Sequence, residues 1–207
     1  DVLDLSHRGR LREKFLADIE QHAKGSCDGM MFDDESYVDW NGMDACVCDR
    51  CQTQWRDWLT KNRPGLAPLD PAVALDDPLG HSEHYRAWWY FRAAQLTEWY
   101  RDMRATFVAA AAKNGTTAGR PLRLAIQSGG PDFADVKSSR LNLEELAGVF
   151  DLICPQFYGG GDLVARRTRE LVRVVGRDKA CPTLCLGERH AWEPGEFRAQ
   201  ILEAVFA

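Results

Sequence analysis

Three acids in a row, Asp33-Asp34-Glu35, follow directly on the apolar run Met30-Met31-Phe32. Neighbouring carboxylates repel one another, and an apolar surrounding raises the pKa of whichever is most buried. A carboxyl kept protonated near neutral pH is the proton donor that a leaving alkoxide needs. A second acid, Glu188, stands just past Cys185-Leu186-Gly187. Two carboxyls held about 5 to 5.5 Å apart would work as acid/base and nucleophile with retention of configuration, and a wider gap would mean inversion. The same triplet also suits a solvated acidic turn or a metal-binding loop built from Asp33, Asp34 and Glu35. Glu193 and Glu196 compete with Glu188, but Glu196 falls two residues after Pro194, where an acid suits the first turn of a helix.

Other polar side chains sit at comparable places, just after apolar runs: Gln127-Ser128, Gln156 with Tyr158, and His190 beyond Glu188. Tyr158 could orient a nucleophile through its hydroxyl or cap the core. Tyr37, Trp40 and Trp192 lie in loops, where aromatic faces can stack on the C–H faces of sugar rings. The sharpest local motif is Cys46-x-Cys48-x₂-Cys51. Thiolates at this spacing can hold one zinc ion from a tight turn, and a structural site needs four ligands. Cys27, Asp44 or a residue outside the chain could complete the set; three free thiols are the alternative. A catalytic zinc is disfavoured because no histidine pair lies nearby. The seven cysteines are an odd number, so they cannot all pair within the chain. Cys154, Cys181 and Cys185 lie in apolar runs and read as buried small hydrophobes.

The elements that must carry these residues alternate along the chain. Residues 2–5 and 27–32 read as strands, with a helix between them whose stripe is Leu11, Phe15, Leu16 and Ile19. A helix is expected over 52–62, an inserted proline-rich loop at about 63–82, and a long helix over 83–113 with Tyr85, Trp88, Trp89, Leu96, Trp99, Met103 and Phe107 on its core face. Strands at 122–126, 151–157 and 180–186 then alternate with helices at 142–149, 163–175 and 194–206. Strands apolar along their whole length suit a parallel sheet covered on both faces, which leaves an open doubly wound sheet or a (β/α)₈ TIM barrel. Polar residues at successive strand ends favour the barrel, where those ends converge on one face. The expectation is a single barrel domain over 1–207, incomplete because about five units fill 207 residues where a closed barrel takes roughly 250.

Composition narrows the rest. With 26 basic against 31 acidic residues and no basic stripe, nucleic acid is not an expected partner. No apolar run approaches a membrane span, and no phosphate-binding glycine motif or organic cofactor site is visible. Reduced thiols favour a cytoplasmic home; oligomeric state is not encoded legibly.

Asp34-Glu35 at a strand end, followed by CxCxxC and the helix Cys51-Gln-Thr-Gln-Trp-Arg-Asp-Trp-Leu59, resembles family 42 β-galactosidases and their relatives among the glycoside hydrolases. The resemblance implies an acid/base role for Glu35, a structural zinc on Cys46, Cys48 and Cys51, and a nucleophile at the position of Glu188. Asp34 stands where that family has Asn. A second likeness is to family 18 chitinases: Asp28-Gly29-x-Met31-x-Asp33-x-Glu35 is similar to their DGxDxDxE strand, with Met31 in place of one acid, and Gln156-Phe157-Tyr158 to their Met-x-Tyr strand. That likeness implies Glu35 as proton donor, Asp33 as its support and the substrate's own acetamide as nucleophile. The expectation is a retaining glycosidase acting on a β-galactoside-like or other oligosaccharide, with Asp33, Asp34, Tyr37, Trp40, Gln127, Gln156, Tyr158, His190 and Trp192 around the sugar. A non-catalytic carbohydrate-binding barrel is the alternative from a different class.

Overall fold

The computed structural model describes residues 10–25, 29–33, 46–114, 122–157, 162–184, 198 and 201–202. Four parallel strands run in sequential order, β1 (Gly29–Asp33), β2 (Arg123–Ser128), β3 (Leu152–Phe157) and the two-residue β4 (Thr183–Leu184). β1 meets β2 so closely that a Cβ on Gly29 would lie 2.0 Å from the Arg123 carbonyl oxygen, so only glycine fits there. At the same end of β2, the Asp151 carboxylate accepts from the Leu124 backbone N–H at 2.9 Å and from Arg104 Nη2 at 3.2 Å. That carboxylate pins the start of β3 to β2 and both to the helix above.

The helices are α1 (Arg10–His22), α2 (Asp49–Asn62), α3 (Pro71–Asp76), α4 (Ser82–Lys113), α5 (Phe133–Ser139), α6 (Leu143–Leu146) and α7 (Asp162–Val175). None of the described helices is long and apolar enough to cross a membrane. α4 organises them. Its 32 residues span about 48 Å at 1.5 Å per residue, longer than the sheet it covers. Its second half, through Leu96, Tyr100, Met103, Phe107 and Ala111, packs with Leu124, Ile126, Ile153 and Phe150 in the main core, joined by Ile19 and Ala23 of the α1 region and Leu171 of α7. Its first half, through Ala87, Trp88, Trp89 and Phe91, forms a second core with Cys51, Trp55 and Leu59 of α2.

Two details differ from the sequence expectation. The buried edge of the α1 region is Ile19 and Ala23, while Phe15 is 48% exposed and leans on Trp99 at 5.8 Å between ring centroids. Within 63–82 a short helix forms, α3, started by Asp70, whose carboxylate accepts from Ala72 N at 2.9 Å, with Pro71 at the first helical position.

The larger correction concerns architecture. The described strands make an open sheet, and the expected (β/α)₈ barrel is not evident among the described residues. Closure needs a full ring of hydrogen-bonded strands and an interior filled by layers of branched aliphatic side chains. Among the described residues β1 pairs with β2 alone, and β4 contributes two residues. Parity along the strands places Met31, Asp33, Gln127 and Gln156 on the face away from the main core, and Met31 is 51% exposed. Polar residues at strand ends are common to parallel α/β sheets of both kinds, so they did not discriminate between them.

Candidate functional site

Register brings part of the expected constellation together. Asp33 pairs with Gln127, Gln127 with Cys154, and Gln156 with Thr183. Because side chains alternate with period two, Asp33, Gln127, Cys154, Gln156 and Thr183 share one face at the carboxyl ends of the strands, opposite the helices. Asp33 is exposed there, and Gln127 and Gln156 are half-buried. An exposed carboxylate beside two amides can accept from and donate to a polyhydroxylated ligand. Asp34, Glu35, Tyr37, Trp40, Tyr158, Glu188, His190 and Trp192 lie outside the described residues.

A carboxyl that the sequence reading passes over lies in the loop and helix that follow β2. β2 runs into Gly129-Gly130-Pro131 and then α5, whose first turn is capped by Asp132 accepting from Asp135 N at 3.0 Å. Asp135 Oδ2 lies so near the loop that a Cβ on Gly130 would come within 2.3 Å of it. Burial, and then the charge of Asp132, push the Asp135 carboxyl above the ordinary range, while Arg167 of α7 pulls the other way. Arg167 itself rests over the Phe157 ring at 6.0 Å. The legible signal was Pro131-Asp132-x-x-Asp135, a helix start with its cap.

The cysteine motif forms a true cluster. Cys46 is half-buried, Cys48 exposed at the start of α2, and Cys51 fully buried in its first turn. Their three sulfurs lie within 4.8 Å of one another, and the group could hold a metal ion. Thiolates on a tetrahedral zinc with bonds of about 2.3 Å sit roughly 3.8 Å apart, so small side-chain adjustments would suffice. The backbone N–H of Cys51 and then the Cys46 thiol hold the Cys48 thiol below its ordinary value. Burial pushes Cys51 up to about 12, with Cys48 adding to it and Arg92 opposing. Arg92, on α4, donates from Nη1 to Cys51 Sγ at 3.8 Å and to Gln95 Oε1 at 2.8 Å, and Gln95 Nε2 donates to Gln54 Oε1 at 2.7 Å. α2 and α4 are thereby joined through polar groups as well as through the second core.

Of the other cysteines, Cys154 is buried as expected, and burial with Cys181 beside it pushes its thiol up to about 12. Cys181 is exposed, contrary to the small-hydrophobe reading, because β4 is the outer strand of the described sheet; Cys185 lies outside the described residues. A separate open cavity of about 880 Å³ lies between the end of α2, the start of α4 and α6, lined by Trp58, Arg63, Arg86, Tyr90 and Glu144 among others. No sequence-predicted site residue lines it.

No protein-family model matches the chain, and no curated protein matches it in sequence. Among solved structures, the chain is similar to the glycoside hydrolase domain of PgaB (BpsB) from Bordetella bronchiseptica, with a TM-score of 0.62 and 15% sequence identity. The match covers 97% of this chain and 59% of that one, so the chain spans about three-fifths of its neighbour's length. At that identity the likeness is one of fold: this chain shares the arrangement of its elements with a glycoside hydrolase domain.

Proposed function

We propose that the protein is a glycoside hydrolase, with Glu35 as its acid/base and Glu188 as the nucleophile of a retaining reaction on an oligosaccharide. The observation that carries this reading is the register that sets Asp33 beside Gln127 and on the same face as Gln156, at the strand end that leads into Asp34-Glu35. The fold likeness to a glycoside hydrolase domain supports it. Glu35 would protonate the departing glycosidic oxygen while Glu188 attacks the anomeric carbon, and Asp33, Gln127 and Gln156 would bind hydroxyls. The test is hydrolysis of aryl glycosides by the full-length protein. Glu35→Gln should lower turnover by roughly 10²- to 10⁴-fold, the usual worth of a positioned general acid. Undiminished turnover overturns the assignment. Activity that survives Glu188→Gln but not Glu35→Gln points instead to substrate assistance by an acetamide. Sugar affinity without hydrolysis at any pH points to the non-catalytic binding alternative.

In the same reading Cys46, Cys48 and Cys51 hold a structural zinc that fixes the start of α2. Metal analysis of the purified protein should find one zinc per chain, lost with Cys48→Ser and unaffected by Asp33→Asn. Zinc lost with Asp33→Asn but retained by Cys48→Ser would move the metal to the acidic strand end.

A further inference from the structure

Arg92 is fully buried in the second core, with its guanidinium 5.9 Å from the Trp88 ring and beside Cys51. Arginine cannot shed its charge on burial, so a guanidinium in an apolar core requires a compensating anion. The described surroundings supply none that is permanently charged. Nη1 has two acceptors, Gln95 Oε1 and Cys51 Sγ, whereas Nε and Nη2 have no hydrogen-bond partner among the described residues, and no carboxylate there forms an ion pair with Arg92. The nearest groups that can become anionic are the clustered cysteine thiols.

We propose that Arg92 is the built-in counter-charge of a metal–thiolate centre on Cys46, Cys48 and Cys51, and that the loaded centre fastens α2 to α4. The inference rests on the reading of the cysteines as metal ligands and goes beyond it by assigning a fourth participant from another helix. Metal binding takes the cysteines as thiolates. Three thiolates around one divalent cation leave a net charge of −1, and the single positive charge of Arg92 balances it. The contact is already directed, since Nη1 donates to Cys51 Sγ at 3.8 Å while Gln95, itself bonded to Gln54, accepts from the same Nη1 at 2.8 Å. Such donors to metal-bound sulfur are outer-shell partners, which orient ligands and tune affinity. Arg92 is therefore a positioning residue, not a ligand.

The experiment uses the full-length protein and zinc itself as probe. Zinc affinity is measured by competition with a chromophoric chelator, the thiolate-to-metal absorption is read on the cobalt-substituted protein, and thermal unfolding is followed with and without metal. Wild type should hold one zinc. Arg92→Met should weaken zinc roughly 10- to 100-fold and shift the cobalt charge-transfer band. It should also stabilise the metal-free form relative to metal-free wild type, because no unbalanced charge is left in the core. Arg92→Lys, which keeps the charge without the planar fork, should recover part of the affinity and serves if the Met variant does not fold. Unchanged zinc affinity and an unchanged cobalt spectrum in both variants overturn the role of Arg92 while leaving the metal site standing. Absence of zinc and cobalt binding in wild type overturns the metal reading itself, and this proposal with it.

Discussion

Asp135 shows how one residue's surroundings become a measurable property of the whole protein. Its carboxyl is half-buried against the Gly129-Gly130 loop, faces Asp132 on its own helix and Arg167 on α7, and has its pKa raised from the ordinary 3.8, chiefly by burial. Between that value and the raised one, the folded chain binds a proton that the unfolded chain has released. Stability therefore falls as pH rises through this window, and the loss is complete above the folded value. Asp135→Asn keeps the shape and removes the titration, so its denaturation midpoint should fall less than that of wild type as pH rises from the ordinary aspartate value of 3.8 through the raised one. Arg167→Gln, which removes the opposing charge, should steepen the wild-type fall. Urea titrations across that range measure both, and an Asn variant with the wild-type slope would show that Asp135 is not the group responsible.

At the scale of elements, the segments legible in the sequence are those whose burial alone creates their pattern. α4 presents Tyr85, Trp88, Trp89, Leu96, Trp99, Met103 and Phe107 at helical spacing; five of them are buried, and Tyr85 and Trp99 are half-buried at the edges of the stripe. β2 and β3 were visible because they are short apolar runs covered by helices on one side. α5 left almost no such trace. It is seven residues long, carries Val136 as its deeply buried aliphatic residue, and ends at Arg140 in the left-handed region with φ of 58°, where glycine or asparagine is the usual stop. Its cap, Asp132, was the one local cue, and missing it hid Asp135 as well. α3 was masked differently, since the prolines that suggested a loop include the Pro71 that opens the helix. Of the candidate site, spacing alone picks out the three cysteines whose sulfurs lie together, and strand ends pick out Asp33, Gln127 and Gln156, which the register sets on one face. Arg92 was not legible, because its partner Cys51 is 41 residues away and an arginine within an aromatic helix face reads as solvated charge until the packing is known.

For the molecule as a whole, α4 divides the labour. The main core beneath its second half sets the register of β1, β2 and β3, and hence the spacing of Asp33, Gln127 and Gln156. The second core beneath its first half sets α2, and hence Cys51 and its neighbours. The two cores share one continuous helix and no buried side chain, so damage should travel unequally between them. Trp55 is buried in the second core, lies 5.4 Å from Trp88 between ring centroids, and donates from Nε1 to the Leu69 carbonyl at 3.0 Å. Trp55→Ala should cost about 3–5 kcal/mol as a cavity, drawn from the α2–α3 layer, which can open without the sheet. Phe107, buried in the main core, should cost a similar about 3–5 kcal/mol on truncation, but there the support of α4 and the sheet is lost together. Native-state hydrogen exchange separates the cases. Trp55→Ala should strip protection from α2 and α3 amides while those of β2 and β3 stay close to wild type; Phe107→Ala should lower all of them. Equal loss of β2 protection in both variants would mean that α4 transmits the damage along its full length. In that case the cysteine cluster and the strand-end face would form one cooperative unit, and loss of metal would be felt directly at the candidate sugar-binding face.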